Sequence, residues 1–240
     1  MNDMSETTYI NYQFIFKDGR EEYFPITLRL SDLSLLSQSP PTQPSWTELT
    51  FNQCENCPLS ADKHPYCPLA GSLAEIIPKF YDKKSFETVF LRVSTPERIY
   101  EKVTPLQTGL GSLLGIFMVT TGCPHMQPLR PMVRFHLPCA TVEETLFRAA
   151  STYLLGQYFR RKKGKEADWD LAGLLAVYQE IQTVNMGITD RLRSISEEDA
   201  NTNAIVLLDV FAKALPSSIF VELRELEYIF QHSVSPAISE

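Results

Sequence analysis

The chain has no long apolar run. Its longest, Leu113-Leu114-Gly115-Ile116-Phe117-Met118-Val119, falls far short of the roughly 20 residues that cross a bilayer. A membrane-spanning helix is therefore not expected. Excess positive charge is also lacking: 22 Lys and Arg stand against 29 Asp and Glu, a net charge of −7. That argues against broad nucleic-acid binding, which relies on neutralising phosphates. The one basic run, Arg160-Arg161-Lys162-Lys163-Gly164-Lys165, reads as a solvated turn between helices. The start, Met-Asn-Asp-Met-Ser-Glu-Thr-Thr, lacks a cationic segment followed by an apolar core. No secretory leader is predicted, and the expected compartment is the cytoplasm. There is no internal repeat and no low-complexity tract.

What is present is enough apolar material for a real core. The 240 residues are 44% hydrophobic and 21% charged, which suits one large domain or two small ones. The first half reads as β. Thr8 to Phe16 alternates, Lys17-Asp18-Gly19-Arg20 supplies a turn, and Glu21 to Leu30 returns. Asp-Gly between two alternating runs is a strong hairpin signal. Pro25 places the second strand at an edge or a bulge. Trp46 to Phe51 reads as a short strand, Leu73 to Phe80 as a short helix, and 86–94 and 98–104 as two more strands.

The second half reads as helical. Leu106 to Thr121 is predicted as a helix ended by Gly122 in the left-handed region. The stretch from Pro124 to Pro138 is irregular. Thr141 and Glu144 form a capping box at the start of the next helix, with Val142, Leu146, Ala149, Ala150, Tyr153 and Leu154 inward. Asp168 or Asp170 opens another, with Leu171, Leu174, Leu175, Tyr178 and Ile181 inward. Ser196 caps a further helix, with Ala204, Leu207, Leu208, Phe211 and Leu215 inward; Pro216 breaks it, and Ile219, Leu223, Leu226 and Phe230 line the last one. The expected fold class is α+β. A β-rich region with an antiparallel hairpin covers residues 1–105, and a helical region covers 106–240. The two could equally form one integrated domain.

The cysteines carry the chemistry. Cys54, Cys57 and Cys67 lie in one short run, and Cys123 follows far downstream. Cys57, Cys67 and Cys123 each precede a proline. Five cysteines is an odd number, and cytoplasmic thiols stay reduced, so the cluster reads as ligands rather than disulfides. A C-x-x-C pair with a third cysteine nearby presents several thiolates to one soft metal ion. Cys54, Cys57, Cys67 and Cys123 form a Cys₄ set that joins the two halves. His64 or His125 are alternative fourth ligands. The repeated Cys-Pro favours Cys123. Cys139, in Leu-Pro-Cys-Ala, reads as packing.

Zinc suits either tetrahedral set, and an iron–sulfur cluster suits four thiolates. Pro58 lacks an N–H directly after the second cysteine, which counts against a standard zinc knuckle. Haem sensing by the Cys-Pro dipeptides is a remoter reading. Four thiolates on Zn²⁺ leave a net −2, so compensation is needed, and Lys63, Arg130 and Arg134 are the nearby cations.

Other motifs yield less. Gly109-Leu110-Gly111-Ser112-Leu113-Leu114-Gly115 lacks the Gly-Lys-Ser/Thr ending of a phosphate loop, and close helix packing explains it better. In Cys123-Pro124-His125 the rigid proline keeps a thiol and a base from converging. His136 reads as a hydrogen-bonded core histidine, with Glu143, Glu144 and Arg148 on the following helix as companions in a pocket under the alternative reading.

Cys54-Glu55-Asn56-Cys57-Pro58-Leu59, Tyr66-Cys67-Pro68-Leu69-Ala70, Thr120-Thr121-Gly122-Cys123-Pro124-His125-Met126 and Pro131 to Pro138 together resemble an uncharacterised bacterial protein family. The hairpin Phe14-Ile15-Phe16-Lys17-Asp18-Gly19-Arg20 agrees with it. The resemblance covers most of the chain. It implies a bacterial cytoplasmic origin and attaches no activity or catalytic residue.

The leading expectation is a metal-stabilised cytoplasmic interaction or regulatory protein without catalysis. It would act on an unidentified protein partner, with no nucleic acid and no membrane. The alternatives are an iron–sulfur redox or sensing protein, and a metal-dependent hydrolase or transferase with an open metal position. A homodimer is compatible with the apolar stripe of the last helix.

Overall fold

The computed structural model describes residues 6–36, 43–195, 200, 202–206 and 223–230. Four antiparallel strands form one sheet in the order β2-β1-β3-β4. β1 (Thr7–Phe16) and β2 (Glu21–Arg29) make the expected hairpin. Its turn closes through Phe16 N–H to the Arg20 carbonyl at 2.9 Å, and Gly19 takes φ +84°. That conformation costs glycine little. β2 is an edge strand, so Pro25, opposite Asn11, removes no bond from the interior. β3 (Thr88–Ser94) pairs with β1 and with β4 (Ile99–Pro105).

Alternation sends Ile10, Tyr12, Phe14, Phe16, Phe24, Ile26, Leu28, Val89, Leu91 and Val93 to one buried face. Phe80 meets Phe14 edge-on at 5.4 Å between ring centres and stacks on Phe24. α2 (Leu106–Thr120) lies on this face. A Cβ on Gly109 would come within 2.9 Å of the Phe14 ring, so glycine is what lets the helix approach. On its other side, Gly111 faces the carbonyl of Ala204. The glycine run thus serves close packing.

α3 (Val142–Lys162) begins at the predicted capping box. Glu144 N–H donates to Thr141 Oγ1, and Thr141 N–H donates to the Glu144 carboxylate. Leu146, Ala149 and Ala150 are buried, whereas Val142 is exposed. α4 (Ala172–Arg193) has Leu171, at φ +61°, as its N-cap. Asp168 accepts the N–H of Gly173, so this aspartate does secure the helix start from outside it. Leu174, Tyr178, Ile181, Val184, Asn185, Ile188, Arg191 and Leu192 make its buried stripe. One contiguous apolar core runs from β1 to α4.

Several expectations need correction. Residues 46–51 form no strand: Ser45–Thr47 is a 3-10 turn, and only Glu48 bridges, to Tyr66. The short helix α1 starts earlier than predicted, at Pro68–Leu73, and Ile77–Phe80 is a separate 3-10 turn. The stretch after Pro124 contains a 3-10 turn, Gln127–Val133. Gly122 does not adopt the left-handed region. Pro68 packs against it, 3.5 Å from where a Cβ would stand, an ordinary contact that does not by itself demand glycine. The expected helix cap Ser196, the inward Leu207, Leu208, Phe211, Leu215 and Ile219, and the breaking Pro216 lie outside the described residues. Among the described residues no helix is long and apolar enough to cross a membrane.

Candidate metal centre

Cys54 and Cys57 sit on one tight turn, closed by Cys57 N–H to the Cys54 carbonyl at 3.0 Å. Cys67 is the N-cap of α1. Pro68 occupies the first helical position, where no N–H is needed, and Ala70 N–H points at the Cys67 sulfur at 3.5 Å. Cys123 repeats the device after α2: Pro124 follows, Met126 N–H donates to the Cys123 carbonyl at 3.2 Å, and the backbone amides of His125 and Met126 favour the ionised form of its sulfur. Cys-Pro therefore turns the chain so that the amides after the proline face the sulfur. Such donors favour a thiolate over a thiol.

Three contacts gather these segments. His125 Nε2 donates to the Asn56 carbonyl at 2.7 Å, tying the Cys123 segment to the Cys54–Cys57 turn. Pro68 packs on Gly122 and brings Cys67 beside Cys123. Asn56 Nδ2 donates to the Glu180 carboxylate at 2.7 Å, and Cys54 lies against Gly187, so the same turn docks on α4. Burial pushes the Cys54 thiol up to about 12, with further lifts from Cys67, Cys123 and Cys57. Burial likewise pushes Cys123 up to about 11, and Cys67 and Cys57 add to it. The four thiols are thus mutual electrostatic neighbours, all partly buried and none in a disulfide.

They are gathered without being converged. Among the described residues, no three His, Cys, Asp or Glu side chains stand together as an assembled metal-ligand set. Tetrahedral zinc with Zn–S near 2.3 Å places its sulfurs roughly 3.8 Å apart. Neutral thiols have nothing to draw them that close.

The alternative ligands fare differently. His64 is exposed. His125 turns Nε2 to the Asn56 carbonyl and Nδ1 to Glu180 at 3.6 Å. Cys139 stands apart, at φ +52°, with its N–H on Ser112 Oγ.

The cation beside the thiols is not one of those expected. Lys63 is exposed, Arg134 pairs with Glu97 at 3.1 Å, and Arg130 donates to the Val119 and Thr121 carbonyls. It is Arg191, on α4, that lies beside them. Its side chain is only 1% exposed. Its guanidinium donates to the carbonyls of Trp46 at 2.6 Å, Glu48 at 2.8 Å and Leu49 at 3.0 Å. Among the described residues no carboxylate pairs with it, and Nε has no partner. Desolvation pulls its pKa down, while Cys67, Cys54 and Cys57 hold it up. The signal in the sequence was an arginine on the apolar stripe of α4, one turn after Gly187.

Neither the curated proteins nor the solved structures contain a match to this chain. A family model described as "Domain of unknown function (DUF6901)" matches residues 10–231, a span that takes in all five cysteines and Arg191, and the chain belongs to that family.

Proposed function

We propose that Cys54, Cys57, Cys67 and Cys123 hold one zinc ion as thiolates, and that the protein is a metal-stabilised cytoplasmic interaction or regulatory protein rather than a catalyst. The observation that carries this reading is Arg191. A buried guanidinium without a carboxylate is costly unless something nearby is negative. Among the described residues, besides the Phe51 ring face at 5.9 Å, its charge-bearing neighbours are sulfurs, and at neutral pH they become anions when a metal takes the place of their protons. Four thiolates on Zn²⁺ leave −2, and Arg191 offsets part of that. The amides of Ala70, His125 and Met126 offset more.

Four protein ligands leave no position for a water on zinc, which is the usual mark of a structural site. The ion would tie the Cys54–Cys67 loop to the segment that follows α2. The same amide donors would serve an iron–sulfur cluster, the runner-up.

Elemental analysis and the visible spectrum of anaerobically purified protein test the proposal. One zinc per chain and no colour are expected, with the metal lost from Cys54→Ser and Cys123→Ser. A brown sample containing sulfide would establish the cluster instead. Unchanged metal content and stability in Cys123→Ser would remove that cysteine from the site.

A further inference from the structure

A cavity of about 410 Å³ lies between α2, the 3-10 turn Gln127–Val133, α3 and α4. That volume is in the range of small-molecule sites, about 300–1,000 Å³. Its walls are largely apolar, including Ile116, Met118, Val133 and Ile181. Several polar groups at its wall satisfy one another. Tyr12, reaching in from β1, hydrogen-bonds His136 Nε2 at 2.5 Å and Ser112 Oγ at 2.8 Å, and Ser112 in turn accepts Cys139 N–H.

Two groups on the wall are not satisfied in this way. Asn185 is 1% exposed, and among the described residues both atoms of its amide, Nδ2 and Oδ1, lack a hydrogen-bond partner. Arg148 spends one N–H on the Met132 carbonyl at 2.8 Å, and among the described residues no carboxylate pairs with it. Glu144, one turn earlier, is engaged at the capping box. Native proteins rarely leave a buried amide unpaired, and such a group on the wall of a cavity points to something that enters it. Arg148 has Tyr178 as an electrostatic neighbour. Asn185 lies seven residues beyond Tyr178 on the same stripe of α4, roughly 10 Å along the axis at 1.5 Å per residue.

We propose that this cavity binds a small amphipathic monocarboxylate. Its carboxylate is taken by Arg148, its apolar body fills the space under α2, and a hydroxyl or amide at its far end pairs with Asn185. The inference goes beyond the metal reading and does not rest on it.

Titration calorimetry with octanoate, 8-hydroxyoctanoate and octylammonium tests it, because the three share one apolar body. 8-Hydroxyoctanoate is expected to bind most tightly, octanoate more weakly, and octylammonium not at all. Loss of a charge-assisted hydrogen bond predicts at least a roughly ten-fold weaker octanoate affinity in Arg148→Met. Arg148→Lys, which keeps the charge, recovers part of it. Asn185→Leu should bind both acids equally. Circular dichroism confirms that each variant is folded, and if Arg148→Met is not, Arg148→Lys and Asn185→Leu carry the test. Equal binding of octylammonium and octanoate would overturn the proposal, as would no binding of any probe to the folded wild-type protein. A zinc-free but octanoate-binding protein would refute the metal reading alone.

Discussion

The sulfur of Cys54 occupies the space in which a side chain at position 187 would grow. A Cβ on Gly187 would stand 2.7 Å from it, and 3.5 Å from the Cys54 backbone. Helix propensity favours alanine over glycine by about 1 kcal/mol. Here the contact should outweigh that gain. Gly187→Ala is expected to destabilise the protein by about 1–3 kcal/mol, as overpacking does. It should also lower metal retention against a chelator. Urea unfolding and a zinc-release assay check both, and an alanine variant as stable as wild type would show that the Cys54 turn can move aside.

Arg191 joins the three carbonyls at 46, 48 and 49 to α4. Arg191→Met leaves those acceptors buried without donors and removes the positive charge beside the thiols. Breaking a buried charged network in this way costs about 3–5 kcal/mol. Arg191→Lys should recover only part of the loss, because an ammonium cannot reproduce a fork directed at three carbonyls. Chemical denaturation of the two variants ranks them.

His136 should make the protein acid-sensitive. Burial pushes its pKa down to about 3, and the Arg148 charge adds to the effect. The unfolded chain takes up this proton near pH 6.5, whereas the folded one resists until near pH 3. Stability is therefore fully present above pH 6.5 and falls as the pH drops toward 3. The residue as a whole is partly exposed, so the loss is a few kcal/mol at most. Unfolding midpoints between pH 7 and pH 4 should fall less steeply for His136→Gln than for wild type.

At the start of α3 the capping box is exposed, and its hydrogen bonds do not involve the thiols. Thr141→Ala should cost about 1 kcal/mol, with metal content unchanged. Thermal unfolding checks the first and elemental analysis the second. A loss of metal would mean that α3 supports the thiols more directly than its contacts suggest.

The sheet and the starts of α2 and α3 were legible because local rules decide them. Alternation, Asp18-Gly19 and the Thr141/Glu144 box need no knowledge of distant residues. The sequence misled where tertiary contact decides. Trp46 to Phe51 has strand-like composition, but Arg191 and the bridge to Tyr66 hold its carbonyls, so no ladder forms. Gly122 looked like a helix stop and is instead a seat for Pro68. The cysteines announced themselves by spacing. Their support from α4 did not, because Asn185, Gly187 and Arg191 read as breaks in an amphipathic pattern rather than as functional positions.

α4 turns Tyr178 and Asn185 toward the cavity, and carries Gly187 and Arg191 to the thiols. Met126 likewise lines the cavity while its N–H donates to the carbonyl of Cys123. A stiff rod and a short peptide thus belong to both places at once. Any occupant of the cavity that displaces either one must alter the grip on a metal, and the metal must alter the occupant's affinity by the same factor. With the metal and the cavity ligand proposed above both bound, α4 would make the chain a two-input device, in which each input reads the other.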